Sequence, residues 1–229
     1  LSGLRIEDLP SPNCDERPGG EAAIDMLILH YTGMQTAQAA IDRLRDPAAK
    51  VSSHYVVDED GRILRLVPER LRAFHAGISF WRGRRVLNDV CIGIEIVNPG
   101  HEWGYRRFPA AQMDAVRALC LEILGRHAIP ARNVIGHSDV APNRKQDPGE
   151  LFDWKGLAEA GIGYWPNGPD DMSADVDEAA AWQALEAIGY ETCWPLDVIL
   201  TAFQRHFLPD NLTGKLDRRT TARLVAVKP

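Results

Sequence analysis

His137 and Asp147 stand near the two ends of one Pro- and Gly-containing segment, VIGHSDVAPNRKQDPG, which also carries Lys145. An imidazole and a carboxylate presented by one loop suit a borderline divalent cation such as zinc, and a catalytic zinc site takes three protein ligands with a fourth position kept for water. The third ligand must come from elsewhere, and His30 is the best supplier. It ends the apolar run IDMLILH and so would be held at the end of a buried strand, a rigid place for a ligand. Glu95 lies in IGIEIVN, flanked on both sides by apolar residues, where a carboxylate costs free energy unless it is paired, hydrogen-bonded or protonated. Facing a water on the metal, it would take a proton and return it to a leaving amine. Lys145, two residues before Asp147, would place an ammonium where an oxyanion forms. The bland readings are a carboxylate on the solvent side of a strand and a solvated surface lysine, and only the address of the two residues sets them apart.

The chain holds seven histidines. His54, His101, His127 and His206 read as satisfied core residues rather than ligands, and His75, in RAFHAG, as either a core or a site residue. Four cysteines, Cys14, Cys91, Cys120 and Cys193, are widely scattered without the close spacing of a metal motif. Cys91 and Cys120 fall in apolar contexts, where a small buried hydrophobe is the simplest reading.

The elements that would position these groups follow from periodicity. The first stretch, with Pro10, Pro12, Pro18, Gly19 and Gly20, reads as a loop. IDMLILHYT reads as a buried strand, TAQAAIDRLRD as a helix stopped by Pro47, and SSHYVVDEDGRILRLV as a hairpin turning at Glu59-Asp60-Gly61. Pro68 to Val90 lacks periodicity, is rich in Arg, aromatics and Gly, and reads as a wall of the substrate site. CIGIEIVNPG resumes as a strand, and PAAQMDAVRALCLEILGRHAI carries a helical stripe through Met113, Val116, Leu119, Cys120, Ile123 and Leu124. This is an α/β pattern. A Gly-, Pro- and acid-rich stretch then precedes three short helical patterns, so the expected division is 1–160 as the main domain, 161–174 as a linker and 175–229 as a small helical module.

Net charge of −6 and a pI near 5.6 give no electrostatic footprint for nucleic acid. No apolar run is long enough to span a bilayer, and LSGLRIEDLPSPNCDERPGG does not read as a signal peptide.

LILHYTG, SSHYVVDEDGRILRLVPE, AFHAGISFWRGR, LNDVCIGIEIVNPG and GHSDVAPNRKQDPGELFDW occur in the order of a known family. The chain resembles zinc-dependent N-acetylmuramoyl-L-alanine amidases of the AmpD/AmiD type, within the amidase-2 or peptidoglycan-recognition fold. The resemblance implies a central mixed β-sheet flanked by helices and hydrolysis of the amide between N-acetylmuramic acid, or its anhydro form, and L-alanine. It implies zinc on His30, His137 and Asp147, with Glu95 as catalytic carboxylate and Lys145 at the oxyanion. By region it assigns Tyr31, His75, Trp81, Arg84 and Asn88 to the substrate groove, and likens the C-terminal segment to a peptidoglycan-binding module. The implied partner is peptidoglycan or a soluble muropeptide. A non-catalytic peptidoglycan-recognition protein is the alternative reading, and such binders usually lack one or more of the zinc ligands that this chain keeps. The missing leader pattern points to the cytoplasm, the wall-binding module to the periplasm or an outer-membrane anchor.

Overall fold

The computed structural model describes residues 4–167 and 175–228. Its strands are β1 (Ile6–Asp8), β2 (Cys14–Glu16), β3 (Met26–Tyr31), β4 (Tyr55–Val57), β5 (Ile63–Arg65), β6 (Leu71–Ala73), β7 (Phe80–Trp81), β8 (Arg84–Arg85), β9 (Cys91–Ile96) and β10 (Val134–Gly136). The helices are α1 (Ala37–Arg45), α2 (Gly100–Trp103), α3 (Ala110–Arg126), α4 (His137–Val140), α5 (Trp154–Glu159), α6 (Glu178–Ile188), α7 (Leu196–Phe207) and α8 (Arg218–Val227).

Six strands form one mixed sheet in the order β1-β5-β4-β9-β3-β10, parallel except for the β4–β5 hairpin. Strand side chains alternate between faces, so the parallel register of β3 on β9 sorts them cleanly. Leu27 and Leu29 share one face with Ile92, Ile94 and Ile96, and α3 covers it through Val116, Leu119, Cys120 and Ile123. Met26, Ile28 and His30 share the other face with Cys91, Gly93 and Glu95. The β3 and β9 runs read as near-continuous hydrophobics because both faces are covered, as parallel strands usually are.

The second face is covered in two places. At the β4–β5 side, α1 packs Ile41 and Leu44 on Val56 and Leu64. The Thr36 hydroxyl caps this helix by accepting from the Ala39 amide at 3.1 Å. At the β10 side, Leu185, Ile199, Phe203 and Leu224 of α6 to α8 join Met26, Ile28, Leu87 and Ile135 in one cluster. The C-terminal helices therefore close the main core, and the boundary expected at 161–174 crosses shared packing; residues 168–174 of that stretch lie outside the described residues.

The N-terminal stretch, expected as a loop, contributes two strands. β1 adds to the sheet edge beside β5 and β2 pairs with β6. Each is fixed by a two-pronged ion pair to its neighbour, Asp8 with Arg65 and Asp15 with Arg72.

Candidate active site

Register alone sets two of the site's groups side by side, because His30 is the direct partner of Glu95 across the β3–β9 ladder. β10 runs parallel on the other side of β3 with Gly136 opposite Leu29, so the next residue, His137, arrives level with His30 as the chain turns into α4. Asp147 returns ten residues later, and the Ser138 amide donates to its carbonyl at 2.9 Å.

Three ligand atoms converge as a result. His30 Nδ1 lies 2.9 Å from His137 Nδ1, and each lies 3.0 Å from Asp147 Oδ2. All three residues are buried. The far ring nitrogens are committed: His137 Nε2 meets the Ala76 carbonyl at 3.2 Å and His30 Nε2 meets His75 Nδ1 at 3.0 Å. A carbonyl can only accept, so His137 carries a proton on Nε2, which leaves Nδ1 facing the cluster. Burial, then the neighbouring His137, lowers the His30 imidazole to about 4 against the pull of Asp147, so it is neutral near pH 7. Burial would raise Asp147, but the adjoining His137 and His30 imidazoles outweigh it and hold the carboxyl far below its ordinary range, so it is an anion. Two imidazole lone pairs and a carboxylate oxygen packed about 3 Å apart repel one another unless a cation sits among them. The donor set fits a divalent metal of the zinc class.

Glu95 is partly buried, and its Oε2 is sealed with no hydrogen-bond partner among the described residues. Burial, then the charge of Asp147, pushes its carboxyl well above the usual range, with Lys145 pulling the other way. The carboxylate borders a cavity of about 430 Å³ that also meets His137, Asp147, Lys145, Tyr31 and Arg43. That volume is in the range of small-molecule sites. Lys145 lies on this cavity, and the Tyr31 hydroxyl meets His101 Nδ1 at 2.9 Å on the wall.

The other regional assignments come out differently. His75 borders the cavity, but its nitrogens are spent on His30 and, at 3.3 Å, on Cys91 Sγ; it supports a ligand rather than offering a free group to substrate. Trp81 is 2% exposed, donates its indole N–H to the Arg132 carbonyl and meets Tyr190 edge-on, because the C-terminal helices cover it. Arg84 pairs with Asp25 on the outer surface. Asn88 Oδ1 accepts from the His75 and Ala76 amides, so it holds the His75 loop from behind. Trp81, Arg84 and Asn88 do not border the cavity, which corrects their assignment to the groove.

Sequence reasoning passed over His101, Arg144 and Gly93. His101 bridges Tyr31 and Glu150 at the rim, Arg144 ties the carbonyls of Ala76 and Ile78 to the metal-site loop, and Gly93 leaves room for the His75 ring. The only early signal was Gly93 itself, a glycine inside a strand, which often marks a close approach. All four cysteines are free thiols, with Cys91 and Cys120 buried as expected.

The family model for N-acetylmuramoyl-L-alanine amidases matches residues 20–150. N-acetylmuramoyl-L-alanine amidase AmiD of Escherichia coli K12 is 37% identical, across 91% of this chain and 84% of its own length. The 1,6-anhydro-N-acetylmuramyl-L-alanine amidase AmpD of the same organism is 34% identical over 64% of this chain and 86% of its own. Among solved structures, the E. coli AmiD complex with anhydro-N-acetylmuramic acid-L-Ala-D-gamma-Glu-L-Lys superposes with a TM-score of 0.80, 35% identity and coverage of 90% and 88% of the two chains. AmpDh3 of Pseudomonas aeruginosa in complex with anhydromuramic pentapeptide gives 0.82, 34%, and 89% and 91%. With three converging donors, a carboxylate beside them and relatives matched over nine tenths of its length, the chain belongs to the amidase-2 family of N-acetylmuramoyl-L-alanine amidases.

Proposed function

We propose that this amidase is zinc-dependent, with His30, His137 and Asp147 as ligands, and that it cleaves the lactyl–L-alanine amide of both ordinary and 1,6-anhydro muramyl-peptides. The carrying observation is the meeting of three buried donors 2.9–3.0 Å apart with the unpartnered Glu95 carboxylate on one cavity. The solved relatives that hold anhydro-muropeptides support the substrate class. Zinc supplies Lewis-acid polarisation and lowers the pKa of water.

The chain's own groups account for the proton traffic. Glu95 accepts a proton from water as the water oxygen bonds to the lactyl carbonyl carbon. It returns that proton to the alanine nitrogen as the C–N bond breaks, which releases a neutral amine instead of an amide anion. The Lys145 ammonium faces the developing oxyanion, a place where charge appears only on the way to the transition state and where its stabilisation therefore raises turnover. Preparing the protein metal-free and adding back zinc tests the reading. Amide cleavage should vanish and return, and full activity in protein verified to be free of metal overturns it.

A further inference from the structure

Asp139 lies two residues after His137 and is fully buried, and its carboxylate is saturated by three donors. One is local: the Gly136 amide donates to Oδ2 at 2.8 Å and closes the turn that presents His137. The other two come from the C-terminal part of the chain, Tyr190 just beyond the end of α6 and His206 within α7. The Tyr190 hydroxyl donates to Oδ1 at 2.5 Å and His206 Nδ1 to Oδ2 at 2.7 Å. Tyr190 is 1% exposed and His206 is stacked against Trp154 with ring centroids 4.0 Å apart, so both donors are themselves held in place. The same turn is joined to the third ligand through the Ser138 amide on the Asp147 carbonyl. Arg205 of α7 adds a second line to the site, lying 3.5 Å from Glu150, which binds His101 on the cavity rim.

We propose that Tyr190 and His206 are positioning residues for the metal centre: through Asp139 they fix the turn that aims His137 and, with it, the Asp147 segment. The C-terminal helices are then part of the metal site's support, whatever they do toward the cell wall. A charge buried without its donors cannot remain as it is. Losing either donor drives Asp139 to reorient, and the Gly136–His137 turn moves with it. Outer partners of metal ligands typically govern affinity by 10- to 100-fold.

The inference rests on the zinc reading, and the test separates the two. Zinc affinity is measured by competition with a chromogenic chelator on the full-length protein, first wild type, then Tyr190→Phe, His206→Leu and His206→Asn. Tyr190→Phe and His206→Leu should each weaken zinc binding at least 10-fold, and at saturating zinc KM for a soluble muropeptide should stay within twofold while kcat falls. His206→Asn, which keeps a side-chain N–H near the Nδ1 position, should recover most of the affinity. If wild type does not bind zinc, the metal reading fails and this inference with it. If wild type binds and both donor-removing variants bind within twofold of it, the positioning role alone is refuted, even where their thermal stability drops. Should His206→Leu not fold, Tyr190→Phe, which removes a single oxygen, decides alone.

Discussion

Gly93→Ala puts one methyl group into the support of a metal ligand. An added Cβ would lie 2.5 Å from His75 Cγ and Nδ1 and 2.6 Å from Cε1, whereas ordinary contact begins near 3.4 Å. The ring must retreat by roughly 0.9 Å, the difference between those distances, and it has little room: it is 9% exposed, with Cys91 on one nitrogen and His30 on the other. A retreat of that size along the His30–His75 bond stretches 3.0 Å toward about 4 Å, beyond hydrogen-bond range. Overpacking of this kind costs about 1–3 kcal/mol and an unpaired buried ring nitrogen about 1–3 more. The expected loss is therefore about 4 kcal/mol, or about 8–16 °C in Tm for a chain of this size. Zinc affinity should fall 10- to 100-fold because His30 loses the partner that orients its ring. Thermal unfolding and chelator competition measure both. Gly125→Ala is the control, since nothing lies within 4 Å of its Cβ and it sits in α3, where alanine should stabilise by up to about 1 kcal/mol. If Gly93→Ala unfolds within 2 °C of wild type and binds zinc equally well, the link from Gly93 through His75 to His30 is wrong.

Glu69 accepts from Tyr55, Arg126 and His127; burial opposes them, yet these bonds bring its carboxyl from 4.5 down to about 2. A lowered carboxyl contributes stability above its unfolded value and loses it as pH falls from about 4.5 through about 2, so Glu69→Gln should cost up to roughly 3 kcal/mol at neutral pH and flatten that part of the acid-unfolding curve; an unchanged curve refutes the assignment. A chain ending at residue 167 exposes Met26, Ile28, Leu87 and Ile135, which α6 to α8 cover, and should be insoluble or unfold without cooperativity; a soluble, active truncation would restore the picture of a separable module. An open groove should cleave ordinary and anhydro muramyl-peptides with similar specificity constants, and a preference above about 100-fold, roughly 2.7 kcal/mol, for the anhydro form would require a closed pocket.

How much the sequence discloses depends on the range of the interaction. His30 and Glu95 are legible because period-2 alternation in two apolar runs is local, and register then makes them neighbours. His137 and Asp147 are legible because one loop carries both. The strands β1 and β2 were hidden because three polar-rich residues each carry no alternation; they exist through partners 57 positions away, as Asp8 with Arg65 and Asp15 with Arg72 show. Trp81 looked like a groove aromatic because the residues that bury it, Tyr190 and the helices around it, lie about a hundred positions later. Asp139 and His206 give no local sign at all, since each explains the other only once α7 is docked against α4.

The central claim is that Glu95 moves the proton above a three-donor metal site. Glu95→Gln keeps the shape and removes the base, so the purified variant should retain one zinc per chain while turnover on anhydro-N-acetylmuramyl-L-alanyl peptide falls by at least about 100-fold in single-turnover assays. Near-normal release of the L-alanyl peptide from a folded, zinc-loaded Glu95→Gln protein would contradict the account.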